Sequence, residues 1–290
     1  MANSLMKKKR RISDCALYVL IYLSAAIAVG LLIGIIGYVF AKGAGSISWG
    51  FLTNTTSAIK GTTGIAGNII NTLYIIVITL LIATPLGVGS AIFLNEYAKP
   101  SRFVRIIEFT TETLAGIPSI IFGLFGMVFF GGTLQLNYSI LTGALTLTLM
   151  ILPLITRNTQ EALKTVPKSY RSGALGMGAT KWYMIRTILL PSAMPGIITG
   201  IILAVGRIVG ESAALLFTAG SGYLLPRNWL GYFSKIFESG GTMTIQLYLC
   251  MSKGEYSIAF GIAAVLLVIV LIINLLTKYI AYKFNINRRG

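Results

Sequence analysis

Residues 157–195 read RNTQEALKTVPKSYRSGALGMGATKWYMIRTILLPSAMP, the longest polar and basic interruption in a chain otherwise built of apolar runs. The pattern predicts two short helices meeting at a bend. Pro167 suits the first turn of a helix, where its missing N–H would lack a partner anyway. Gly178 can take the left-handed conformation that ends a helix, and Thr180 can cap the next one. A second helix, from about Lys181, then runs up to Pro191 and back into apolar sequence. A bent cationic element between two membrane spans has the shape to dock into a groove on a soluble partner.

The rest of the chain supplies those spans. Of 290 residues, 55% are hydrophobic and 11% charged. Soluble domains average about 25% charged residues, so the composition is that of a membrane protein. Apolar runs that cross a bilayer need about 20 residues. They fall at about Cys15–Ala41, Ile69–Leu94 (interrupted by Pro85-Leu86-Gly87), Glu108–Gly131 (interrupted by Gly116-Ile117-Pro118), Ser139–Ile155, Pro195–Ala219 and Ser257–Ile280. The first exceeds the roughly 7–15 residues of a signal-peptide core and reads as a retained span. The expectation is an all-α membrane protein with six transmembrane helices.

Charge sets the orientation. Lysine and arginine concentrate in Lys7–Arg11, in Lys99, Arg102 and Arg105, in the 157–190 element, and in Lys278, Lys283, Arg288 and Arg289. Only Lys42, Lys60, Arg227, Lys235 and Lys253 fall in the intervening loops. The positive-inside rule then places both termini in the cytoplasm. The net charge of +16 reflects that bias and does not call for nucleic acid. The chain divides into a basic tail (1–14), a first span with its outer loop (15–64), a core (65–283) holding the bent element 157–190, and a basic tail (284–290).

Histidine is absent and the two cysteines are Cys15 and Cys250, which leaves no credible zinc, haem or Cys–His site. The spans put those cysteines on opposite sides of the membrane, so no disulfide is expected between them. No G-x4-G-K-[ST] phosphate loop occurs, so the chain does not hydrolyse ATP by that route. Energy for uphill transport must arrive through a partner or a coupled ion.

Arg207 and Glu211 are the strongly buried charges of the spans. Four residues apart, they share a helix face and are expected to pair. Arg207 lies about 18 Å beyond Pro195 at 1.5 Å per residue, near mid-span, where a charge costs about 2.5–3.5 kcal/mol on translocon scales. The favoured reading puts Arg207 on an anion's path, oriented by Glu211; the alternative is a pair that locks two helices. Gly206 and Gly210 bracket it at a spacing that allows close helix approach. Glu108 and Glu112 share a face at the start of the third span, with Arg105 in reach of Glu108. Pro85, Gly116 and Pro118 are candidate hinges.

Ser172-Gly173-Ala174, three residues, Gly178, nine residues, then Ile188-Leu189-Leu190-Pro191 resembles the E-A-A-x3-G-x9-I-x-L-P signature of ABC-transporter permeases, with Ser172 and Gly173 departing from the usual Glu and Ala. Thr84-Pro85-Leu86-Gly87-Val88 with Asn95-Glu96-Tyr97-Ala98, Leu114-Ala115-Gly116-Ile117-Pro118-Ser119, and Gly206-Arg207-Ile208-Val209-Gly210-Glu211-Ser212 are similar to high-affinity phosphate permeases. Leu215–Gly220 resembles their PstA type in particular. The resemblance implies the type I ABC importer permease fold, in a bacterial cell membrane. It implies a heterodimer with a PstC-type permease, a homodimeric PstB-type ATPase that binds ATP–Mg, and a PstS-type phosphate-binding protein, with no cofactor on this chain. It also makes Ser172, Gly173, Ala174, Gly178, Ile188, Leu190 and Pro191 the ATPase-coupling loop. A fixed arginine suits any oxyanion, so sulfate and molybdate stay open on physical grounds. So does an ion-coupled carrier, which would have no need of the bent element.

Overall fold

The computed structural model describes residues 12–57, 62–99, 101–226 and 228–286. The run Lys7–Arg11, Lys60, Arg227, and residues 287–290 with Arg288 and Arg289 lie outside the described residues. Helix α1 (Ile12–Gly43) is apolar between Asp14 and Lys42. It meets the body only towards its C-terminal end, where Tyr38 lies edge-on to Phe260 and Ser46, just beyond the helix, bonds the Ser257 carbonyl. The short α2 (Trp49–Thr53) and an antiparallel hairpin, β1 (Thr55–Ser57) and β2 (Thr62–Ile65), lead to α3 (Ala66–Ile92).

Helix α3 runs straight through Pro85, contrary to the expected interruption, and ends in a π-helical turn at Phe93–Tyr97. Proline removes one backbone bond, and the neighbouring turns keep the helix intact. Gly87 serves packing: a Cβ there would stand 2.7 Å from Ile155 Cγ2, so its absence lets α3 lie against the helix that carries Ile155.

The third span departs further from expectation. Helix α4 (Arg102–Ala115) and α5 (Ser119–Gly126), prolonged by a π-helical turn to Thr133, meet at 101°. Pro118 lacks an N–H and disfavours helical backbone at Ile117, and Gly116 ends α4. The described residues therefore hold five helices long and apolar enough to cross a membrane, or six counting this bent pair.

Helix α6 (Ile140–Thr165) is the hub, packed on α3, on α5 and on the later helix Leu190–Gly210. Ser139 caps it, accepting from the Thr142 N–H at 3.1 Å, and Thr146 and Thr148 bond carbonyls one turn back. It continues ten residues past the expected end at Ile155. Ile155, Thr156, Thr159, Ala162 and Leu163 extend its buried stripe while Arg157, Glu161 and Lys164 face outward, so the apolar period of 3.6 persists through polar sequence.

Next come α7 (Lys168–Gly176), α8 (Lys181–Met184), a π-helical turn at Ile185–Leu189, and α9 (Leu190–Gly210). Helix α10 (Ala213–Thr218) follows a break at Glu211–Ser212, where the sequence predicts one continuous span. The expected outer loop 220–256 is also structured, with α11 (Trp229–Ser234), α12 (Met243–Ser252) and then α13 (Tyr256–Ile286). It folds onto the ends of α3 and α6: Ile140 N–H donates to Glu238 O, Asn68 and Asn71 donate to Gly241 O, and the Lys235 side chain is buried. In lipid, unpaired backbone groups cost several kcal/mol each, and these bonds satisfy the chain where helices stop.

Candidate functional site

Two regions hold the predicted residues. The first is the bent element. Helix α7 starts after Pro167, and Gly178 stands at φ +84°, the left-handed conformation that turns the chain. Thr180 Oγ1 then accepts from Tyr183 N–H to start α8. The second limb does not stop at Pro191; it runs unbroken from Lys181 to Gly210, so bend and fifth span are one rod. Inside the bend, Leu163, Val166, Ala174, Met184, Ile185 and Leu189 form a core of their own. Outside it, Tyr170, Leu175, Met177, Trp182 and Tyr183 are exposed, Met177 to 89%. An apolar patch of that kind rimmed by charge marks a contact with a protein or a membrane surface. Ser172 and Gly173 are exposed, Ser172 bonding back to the Lys168 and Ser169 carbonyls, whereas Ala174 points into the core. Ile188, Leu190 and Pro191 are half-buried at the root of the second limb.

Glu96, part of the Asn95–Ala98 motif, and Arg171 form a pair that the sequence does not announce. Glu96 sits in the π-helical turn ending α3, and Arg171 in α7. Arg171 Nε and Nη2 donate to Glu96 Oε1 at 3.1 and 2.8 Å, while Nη1 and Nη2 also donate to Val166 O and Leu163 O at the end of α6. The Glu96 side chain is 5% exposed and that of Arg171 21%. Removing one member of a buried pair typically costs about 3–5 kcal/mol. The partners are 75 residues apart, a separation that no local spacing rule spans.

The second region is the outer part of α9. The expected Arg207–Glu211 pair is not formed. Glu211 leaves the helix with ψ 124°, and its Oε1 accepts from Ala214 N–H at 3.1 Å, starting α10, while its carbonyl accepts from Thr244 Oγ1. A carboxylate engaged in a cap no longer faces the turn before it. Arg207, in the last turn of α9, has no hydrogen bond or ion pair among the described residues; the helix C-terminus there favours a cation. Nor do Gly206 and Gly210 bring a helix close, since a Cβ on either would meet nothing within 4 Å. Ser192, Pro195, Thr199, Leu203, Gly206, Arg207 and Gly210 form one exposed strip along α9. Lipid-facing helices present long aliphatic side chains, whereas small and polar residues mark helix contacts or watery paths.

Thr218 O accepts from Ser139 N–H, which levels the end of α10 with the start of α6. Arg207 lies three residues before the end of α9, within its last turn. Of the acids on α4, Glu112 pairs with Arg157, itself bonded to Glu161 at 3.2 Å, and Arg105 does not pair with Glu108. Gly116 and Pro118 lie at the 101° bend, and Pro85 is an exposed residue inside continuous α3.

Residues 83–286, which include every candidate above, match the family described as binding-protein-dependent transport system inner membrane component. The chain belongs to this family. It is a multi-pass inner-membrane permease of the PstA type. The chain is 37% identical over 283 residues to the probable ABC transporter permease protein YqgI of Bacillus subtilis, covering 93% of this chain and 96% of that one. It is 32% identical over 258 residues to the phosphate transport system permease protein PstA of Haemophilus influenzae, covering 89% of each. Among solved structures it resembles a permease chain of a bacterial alginate ABC transporter in complex with an alginate pentasaccharide-bound periplasmic protein. The TM-score is 0.69, with 16% identity, over 94% of this chain and 96% of that one. That likeness supports the type I ABC importer permease fold.

Proposed function

We propose that this permease forms half of the path of an ATP-driven phosphate importer, with Arg207 as the fixed cation on that path. The exposed strip on α9 with its unpaired guanidinium is the observation that carries the reading. A second permease, of PstC type, faces that strip. An oxyanion passing between the two meets a planar fork suited to it, in a setting polar enough for release. Glu211 stays on the path as the residue that fixes the break in the span.

The bent element lies in the cytoplasm, with both termini, and its exposed Met177, Leu175 and Trp182 seat in a homodimeric PstB-type ATPase. That subunit binds ATP–Mg and hydrolyses it; this chain transmits the motion. A PstS-type binding protein delivers phosphate at the far end, a role that fits the periplasmic protein held by the alginate transporter. PstA relatives support phosphate over sulfate or molybdate. The test is uptake in cells lacking their own high-affinity system that express this chain with the three partners. Phosphate uptake that needs every component and survives excess sulfate and molybdate is the expected result. Uptake of another oxyanion instead would leave the importer standing and overturn the substrate; uptake without the ATPase would point to an ion-coupled carrier.

A further inference from the structure

We infer that Glu96 and Arg171 make the lower end of α3 part of the coupling element, so that the bent element drives the second span directly as well as the fifth. The inference rests on the ATPase-docked reading above. The sequence suggests one route of motion, from the second limb of the bend into the fifth span that continues it. The structure adds another. The π-helical turn that ends α3 is held on both limbs of the bend. Arg171 of α7 grips Glu96 through two nitrogens, and Lys181 of α8 lies 4.8 Å over the Tyr97 ring. Asn95 donates to Glu96 Oε1 at 2.6 Å, fixing the carboxylate from its own side.

The guanidinium also bonds the carbonyls of Leu163 and Val166, so one side chain joins α3, α6 and α7. A planar fork held by three elements keeps direction as well as distance. Val88 and Ile92 of α3 pack on the same core as Met184 and Ile185, which gives the joint a rigid backing. A push on α7 therefore reaches α3 without first passing along α9. Because α3 packs on α6 and α9, the motion arrives behind the Arg207 strip from two sides. Glu96 and Arg171 are positioning residues; neither touches the transported ion.

The experiment uses the reconstituted four-component transporter and reads ATP hydrolysed per phosphate moved. Glu96→Gln and Arg171→Gln are each expected to raise that ratio about tenfold or more, the size of a typical coupling energy. The double variant is expected to be no worse than either single one, since the two act through each other. A merely structural pair would lower the yield of assembled complex and leave the ratio of what assembles unchanged; that result, or single effects that multiply, overturns the inference.

A second measurement leaves the pair intact. Spin labels at Ser90 and Ser169, in a chain whose two cysteines are replaced, report whether α3 and α7 move together through the nucleotide cycle. A pair at Ser169 and Tyr256 reports whether α7 moves at all. A change in the second distance with less than about 2 Å in the first, below a helix-shift displacement, supports one rigid body. Comparable changes in both, or none in either, overturn it. An unmodified complex that hydrolyses ATP without moving phosphate sinks the proposed function, and this inference with it.

Discussion

A guanidinium on the face of a long apolar helix with no carboxylate against it is unusual, and Arg207 owes that state to its neighbour. Glu211 spends its Oε1 on the Ala214 N–H, so one residue's capping bond leaves the other's charge free. Replacing Glu211 by alanine is expected to lose about 1 kcal/mol, the usual worth of such a cap, while glutamine keeps an acceptor oxygen and most of that stability. Thermal unfolding of the detergent-purified permease pair checks both; equal losses would show that the cap is not what holds the break. Gly178 is the other residue whose identity is dictated locally. At φ +84° with nothing within 4 Å of a Cβ, Gly178→Ala meets backbone strain alone, about 1–2 kcal/mol. Titration of the purified ATPase onto the permease pair should show affinity falling by about tenfold; unchanged affinity would mean that the bend tolerates another geometry. Gly178 and Thr180 were legible in sequence because turn chemistry is local. The Glu96–Arg171 pair was not, because its partners meet only once α3, α6 and α7 are assembled.

Among the elements, apolar periodicity marks the long helices, while their ends and breaks depart from expectation at α3, at α6 and at Glu211–Ser212. A run of charge does not by itself end a helix: α6 carries its buried stripe on through Arg157, Glu161 and Lys164. Nor do prolines act alike, since Pro85 sits inside intact α3 while Pro118 lies at the 101° bend. The difference lies in company: Pro118 follows Gly116, which already ends α4, whereas the helix beside Pro85 is pressed against α6 at Gly87. That contact makes a prediction. Gly87→Ala places a methyl 2.7 Å from Ile155 Cγ2 and should destabilise by about 1–3 kcal/mol, the range for overpacking. Ile155→Ala in the same chain should recover part of that loss. Additive losses in thermal unfolding would show that the contact is not the source. The docking patch is also an element-scale claim: Met177→Asp and Trp182→Asp should leave the permease pair folded and abolish capture of the ATPase in pull-down.

The whole molecule is two packed ends joined by α3, α6 and α9. The basic end is a small hydrophobic body fused to three helices; the far end is capped by the segment between α10 and α13. The α9 strip connects them along one exposed face. Family membership and span number were open to sequence reading, since both follow from motif spacing and apolar length. The direction in which Arg207 points was not, because it depends on a break that no propensity marks.

The most direct test is phosphate uptake by the assembled transporter bearing Arg207→Gln, beside Arg207→Lys. The account predicts a complex that forms and docks its ATPase normally, with uptake abolished by glutamine and partly kept by lysine, which retains the charge without the fork. Normal uptake with Arg207→Gln in a fully assembled complex would remove the arginine from the path and contradict the account.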